Sequence, residues 1–137
     1  TKTLPIGDDI YHPKPAEFIE LLIGIIKEYQ LESQVIIQSF DFRTLHYLHK
    51  HYPNIKTAIL IEDSDMRTFE GQLKALGFTP TIYSPAFSLV TKGLISKCHE
   101  QNIKVIPWTV NDKKQMGELK MMGVDGIITD YPNLFND

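Results

Sequence analysis

Apolar residues along this chain follow two patterns that alternate. Short continuous runs, Val35-Ile36-Ile37, Thr57-Ala58-Ile59-Leu60-Ile61, Thr81-Ile82-Tyr83 and Val105-Ile106, are rich in β-branched residues. Runs of this kind are strands covered on both faces. Between them the apolar positions recur at helical spacing. Phe18, Leu21, Leu22, Ile25 and Ile26 predict a helix over residues 15–29, with Pro15 suited to its first position. Leu45 and Leu48 mark one face of a second helix, capped by Asp41 and ended before Pro53. A third is predicted over 66–76, stopping at Gly77. A fourth, over 87–101, carries Leu89, Val90, Leu94, Ile95 and Cys98, and a fifth, over 112–122, closes at Gly123. Strands are predicted at 35–38, 57–61, 81–84, 104–109 and 126–129. Residues 1–4 read as the end of a further strand, so the sequence is expected to begin inside a fold. A last turn is expected over 132–137.

Strict strand–helix alternation with short connections implies a parallel sheet with its helices on one outer side. Such a sheet is either doubly wound or closed into a barrel. Several predicted strands end in polar or aromatic residues: Gln38-Ser39, Glu62-Asp63, Tyr83-Ser84, Trp108-Thr109 and Thr129-Asp130. In a barrel these ends converge on one mouth. No glycine-rich phosphate loop follows any strand, which disfavours dinucleotide and P-loop folds.

Composition narrows the function classes. A chain of 137 residues makes one domain at most, with 42% hydrophobic and 23% charged residues. The formal net charge of -3 and the dispersed lysines give no electrostatic reason to expect nucleic acid. No apolar stretch reaches the roughly 18–20 residues of a membrane span. The first residues, TKTLPIGDD, lack the basic and apolar regions of a signal peptide. The single cysteine, Cys98, lies in a helical pattern and reads as a buried, inert thiol.

The most specific stretch is residues 104–111, KVIPWTVN, which opens as a strand and ends in polar groups. A tryptophan at such an end is a flat surface beside hydrogen-bonding residues. Equally, Trp108 could be a core aromatic whose indole N–H bonds a neighbouring strand. Further on, GVDGIITDYP is another short strand ending in Thr129-Asp130. This pair resembles the signature of the glycerophosphodiester phosphodiesterase family. VIIQSFD at residues 35–41 resembles that family's strand ending in Ser-Phe. Thr1-Lys2 resembles the tail of its Glu-x-Lys strand, and Tyr11-His12-Pro13 before a proline-started helix is also similar.

The resemblance implies an α/β fold of TIM-barrel type, present as an incomplete barrel lacking its N-terminal strands. On that reading residues 1–137 are the C-terminal part of a single barrel domain. It implies hydrolysis of a small-molecule glycerophosphodiester to glycerol 3-phosphate and an alcohol, with a divalent metal (Ca or Mg) in the complete enzyme. Lys2 is then the catalytic cation, and Trp108, Gln38, Ser39 and Tyr83 bind substrate. Lys2, Gln38, Tyr83 and Trp108 should project together from the C-terminal end of the sheet.

The departures are as informative. The family's His-Arg-Gly strand, its Glu-x-Asp metal pair and its second catalytic histidine have no match here. None of His12, His46, His49, His51 and His99 falls at those positions, and no metal ligands are expected in this chain. The isolated chain is therefore expected to be inactive, and to need the N-terminal half of the barrel or to self-associate. His46, His49 and His51 read as surface residues. Glu62, Asp63 and Asp65 read as a solvated acidic loop, Asn111 and Asp112 as a helix cap, and Asp130 as a loop clamp. Two other readings stay open: a non-enzymatic half-barrel with a binding or scaffolding role, and another phosphate-handling TIM-barrel enzyme.

Overall fold

A computed structural model describes residues 1–135. Helix α1 (Pro15–Glu28) leads into β1 (Ile36–Ser39), α2 (Phe42–His51), β2 (Lys56–Ile61), α3 (Phe69–Leu76) and β3 (Ile82–Pro85). Then follow α4 (Lys92–Glu100), β4 (Lys104–Val105) and α5 (Lys113–Met122). The four strands form one sheet in the order β1-β2-β3-β4, with every pair parallel. The last two residues of the expected final turn lie outside the described residues; the part described is a 3-10 turn at Pro132–Phe135.

Helix boundaries follow from side-chain and glycine chemistry. Asp41 accepts a hydrogen bond from the Arg43 N–H at the start of α2, and Asp112 one from the Gln115 N–H at the start of α5. Each satisfies a backbone donor that the first helical turn leaves unpaired. Gly77 and Gly123 end α3 and α5 at φ 74 and 99, the left-handed region that glycine enters without steric cost.

Register sorts the strand residues onto two faces. Ser39, Ile59, Tyr83 and Val105 are successive partners across the whole sheet. This row faces the helices. Ile59, Ile61, Tyr83 and Val105 pack with Leu45 of α2, Phe69 and Leu76 of α3, Ile95 and Cys98 of α4, and Met116 and Leu119 of α5. A second cluster sets Ile19, Ile23 and Ile26 of α1 against Ile37 and Leu48. Fully burying one such side chain is worth roughly 1.5–3 kcal/mol. The opposite row, Gln38, Ala58, Ile82 and Lys104, lies on the helix-free face, as do Leu60 and Ser84.

Several expectations are corrected. On α1, Leu21 and Ile25 face outward and Ile19, Ile23 and Ile26 form the buried stripe. The segment is apolar on almost every side, so spacing alone does not select the face that meets α2. The fourth helix is not continuous. A 3-10 turn at Phe87–Leu89 comes first, and Thr91 then caps α4 through the Leu94 N–H. The third helix starts at Phe69 rather than Met66, because Thr68 caps it through the Gly71 N–H.

β4 is shorter than its apolar run. Pro107 has no N–H to give to a ladder. The chain nevertheless continues in line: the Ile106 N–H bonds Tyr83 O, the Trp108 N–H bonds Pro85 O, and Trp108 pairs with Ala86. Residues 126–129 are not a regular strand. They run beside 105–110 through Asp125 N to Val105 O, Ile128 N to Pro107 O and Val110 N to Ile128 O, each at 2.9 Å. Both segments advance in the same direction, the sense expected of parallel neighbours. Residues 1–4 lie along β1, with the Thr1 amino group on Gln38 O and Thr3 Oγ1 on Asp41 Oδ2 at 3.3 Å.

Candidate functional site

The site gathers at the C-terminal end of the sheet on the helix-free face. Gln38 leaves β1 on that face, and Phe40, two residues on, follows it by the alternation of strand side chains. Leu60 contributes from β2, and Trp108 and Thr109 from the extension of β4. Lys2 arrives with the segment beside β1. Together with Thr1 and Ile128 these residues line a cleft of ≈ 320 Å³. A second cleft of ≈ 300 Å³ adjoins it, lined by Lys2, Thr3, Leu4, Phe40, Glu62 and Trp108.

Trp108 realises both readings of its sequence position. Its Nε1–H donates to the Ser84 carbonyl at 2.9 Å, which fixes the indole against β3. Its ring still forms part of both cleft walls. The Phe40 ring meets it edge to face, with centroids 5.3 Å apart and planes at 88°. With its one donor used internally, Trp108 offers a bound molecule apolar surface rather than a hydrogen bond. Lys2 is exposed and forms no ion pair among the described residues. Its ammonium is free to meet an anion as a point charge with three donors.

Tyr83 and Ser39 do not join this group, and the expectation that they line the mouth is corrected. Tyr83 is 3% exposed, packs edge to face on Phe69 and donates its hydroxyl to Gln72 Oε1 at 2.6 Å, under α3. Burial raises its phenol pKa. Ser39 is fully buried; its Oγ accepts from the Asp41 N–H at 3.0 Å and from Thr1 Oγ1 at 2.7 Å. Both belong to the row that faces the helices. They neighbour mouth residues in sequence but have the opposite parity.

Polar networks hold the loops around the cleft. Arg43 bridges Asp41 and Asp8, with Nη1 and Nη2 on the two Asp8 oxygens at 2.8 and 3.1 Å. These bonds hold the Asp8 carboxyl below the usual carboxylate range and raise the pKa of the guanidinium. Asp65 is matched by Arg67 in the same way, at 2.6 Å for the shortest contact. Asn111 is a clamp rather than a cap: its Oδ1 accepts from the Asp130 N–H and from Thr129 Oγ1, and its Nδ2 donates to Asp130 Oδ2. Asp130 thereby closes the loop after residues 126–129, as expected.

No histidine lines either cleft. His46 Nε2 contacts Leu76 O at 2.6 Å, His49 stacks on Phe78, His51 stacks on Tyr47, and His99 pairs with Asp125 at 2.9 Å. His12 contacts the Leu4 N–H through Nε2 and Pro13 O through Nδ1. Cys98 is fully buried, and burial pushes its thiol up to about 12. No group of three or more His, Cys, Asp or Glu residues that could hold a metal ion occurs among the described residues. No helix among them is long and apolar enough to cross a membrane.

Residues 11–134 match the glycerophosphoryl diester phosphodiesterase family. The chain belongs to this family. It is 34% identical over 113 residues to the glycerophosphodiester phosphodiesterase of Caldanaerobacter subterraneus, covering 82% of this chain and 45% of that protein. It is 35% identical over 112 residues to that of Bacillus altitudinis, covering 79% and 44%. Its fold is also similar to that of an Oleispira antarctica phosphodiesterase in complex with the product sn-glycerol-3-phosphate, with a TM-score of 0.76, 19% identity, and 88% and 48% of the two chains covered. The chain spans about half the length of the curated relatives it matches. The four parallel strands with helices on one side are the part of the TIM-barrel fold seen in this phosphodiesterase family chain.

Two cleft residues had no role from sequence. Phe40 stands inside the VIIQSFD stretch at residues 35–41, and its parity with Gln38 was the available signal. Glu62 was grouped with Asp63 and Asp65 as solvated loop, yet it alone of the three lines the cleft shared with Lys2.

Proposed function

We propose that this chain forms the C-terminal, substrate-holding part of a glycerophosphodiester phosphodiesterase barrel, which releases glycerol 3-phosphate and an alcohol. The observation that carries this reading is the meeting of Lys2, Phe40 and Trp108 in one cleft on the helix-free face. Lys2 places a positive charge beside the phosphate and opposes the charge that builds on its oxygens as the ester breaks. Phe40 and Trp108 pack against the glycerol carbons, and the Gln38 amide hydrogen-bonds a glycerol hydroxyl. Ser39 and Tyr83 act from behind, by holding the strands.

A divalent metal, Ca or Mg on the family's pattern, does not fit the residues described here. The carboxylates near the cleft are Glu62, and Asp65, which is held by Arg67. Metal ligation and acid–base catalysis therefore fall to residues of the barrel other than these. The same face carries Ile36, 47% exposed, and exposed Gln38 and Lys56. This surface suits packing against further barrel strands, from the N-terminal half of the barrel or from another copy. Membership in a hydrolase family favours the enzyme over a scaffolding module.

The test is a coupled assay for glycerol 3-phosphate released from glycerophosphodiesters, with divalent cation added or chelated. The full-length protein is expected to show cation-dependent release, and the 137-residue chain alone to stay at background. General acid–base groups typically contribute about 10²–10⁴-fold each, so their absence removes measurable turnover. Release by the isolated chain at the full-length rate would overturn the assignment of catalysis to other residues. No release by either would overturn the activity.

A further inference from the structure

The two clefts meet at Lys2 and differ in charge. Both are walled by Lys2, Phe40 and Trp108. One is completed by Thr1, Gln38, Leu60, Thr109 and Ile128, with no charged side chain besides the lysine. The other is completed by Thr3, Leu4 and Glu62, and so holds one carboxylate. A phosphodiester has a matching layout, a single anionic phosphate bearing two different groups. With the phosphate at the shared lysine, its two groups enter different limbs.

Glu62 is available to a ligand. It is exposed, its side chain takes only a long 3.4 Å hydrogen bond from Ser64 Oγ, and it forms no ion pair with Lys2 among the described residues. The next acid along, Asp65, is neutralised by Arg67 through Nε and Nη2. The negative charge of this limb therefore comes from Glu62. Its other walls include the rings of Phe40 and Trp108, and aromatic faces attract cations.

We infer that Glu62 is a specificity-determining residue, and that its limb receives the alcohol group of the phosphodiester and favours alcohols bearing an ammonium, primary or quaternary. The neutral limb takes the glycerol. The inference rests on the phosphodiesterase reading for its substrate, but the charge of the limb can be probed without turnover.

Two measurements test it on the full-length protein and its Glu62→Gln variant. The first compares kcat/KM for glycerophosphocholine and for glycerophosphoglycerol, whose alcohol is neutral. Glu62→Gln is expected to lower the choline value about tenfold, chiefly through KM, and to leave the neutral ester within about twofold. The second titrates choline chloride against the tryptophan fluorescence of each protein, to which Trp108 contributes from the wall shared by the two clefts. Saturable change is expected, with the midpoint raised about tenfold in Glu62→Gln. Equal losses on both esters, or a choline titration that is absent or unchanged by the substitution, would overturn the inference. Should neither ester be hydrolysed, the activity reading fails by itself and the choline titration alone decides.

Discussion

Ile59 and Leu60 are adjacent in β2 and point to opposite faces of the sheet. Ile59 is fully buried in a core cluster to which α2, α3, α4 and α5 contribute, whereas Leu60 sits under the cleft with Gln38, Phe40 and Trp108. One face is held by apolar packing that any well-shaped residues could supply. The other presents a lysine, a glutamate, an amide and two aromatic rings at a single end. Parity, more than position along the strand, separates core from cleft here. A slip of one residue carries every side chain of a strand to the other face.

The largest effect should come from the cleft face. Lys2→Ala in the full-length protein is expected to lower kcat/KM for glycerophosphodiesters by about 10²–10³-fold, the usual loss when one preorganised stabiliser of developing charge is removed. The thermal midpoint should stay nearly unchanged, since Lys2 is exposed. An unchanged rate would remove Lys2 from the chemistry and leave the cleft a binding surface only.

The helix face answers in stability instead. Ile59→Ala should destabilise the protein by about 2–5 kcal/mol in urea unfolding, the range for truncating a fully buried aliphatic side chain. Leu60→Ala should cost less and raise KM, because Leu60 borders open space in the cleft. If Leu60→Ala proves as destabilising as Ile59→Ala, the two faces are not divided as described.

These expectations also mark how far the sequence was legible. Alternation of buried runs and amphipathic segments was enough for parallel strands with helices outside, because burial on both faces leaves a continuous apolar signal. Asp41, Gly77, Asp112 and Gly123 marked helix ends because each acts on backbone groups within a few residues. The lining of the cleft was legible only where a motif singled out a residue, as for Trp108, Gln38 and Lys2. Ser39 and Tyr83 were misplaced because strand ends were read as whole dipeptides, and register is fixed by long-range pairing that a single strand does not contain. Glu62 looked like loop because only the approach of residues 1–4 gives it Lys2 as a neighbour.

A smaller effect tests the Tyr83 correction. Tyr83→Phe removes the hydroxyl that bonds Gln72, itself 2% exposed, and leaves a buried amide oxygen unpaired. The expected loss is about 1–3 kcal/mol of stability, with kcat and KM for glycerophosphodiesters unchanged. A raised KM without loss of stability would return Tyr83 to the mouth.

The smallest effect lies at the junction of the two faces, where Asp125 ties β4 to the final segment. Its Oδ2 accepts from the Val105 N–H at 2.8 Å and contacts His99 Nε2 at 2.9 Å. Burial by itself raises the carboxyl pKa, but the Val105 and His99 hydrogen bonds outweigh it, and the net pKa lies below the ordinary value of 3.8. A group with a depressed folded-state pKa contributes stability above its unfolded pKa and loses it as pH falls through the folded one. Asp125 should therefore stabilise at neutral pH and lose that contribution progressively as pH falls below about 4 toward its lowered folded-state pKa. Asp125→Asn keeps an oxygen for the Val105 N–H but loses the charge, so its thermal midpoint should lie below wild type at pH 7. The gap should narrow as pH falls from about 4 toward the lowered folded-state pKa, as the wild-type carboxyl takes up its proton. Taking the difference between the two proteins cancels other acid-sensitive pairs such as Asp8–Arg43 and Asp65–Arg67. A gap that stays constant from pH 7 down to about 3 would mean that the contact with His99 adds nothing electrostatic, and that Asp125 serves only as a backbone acceptor.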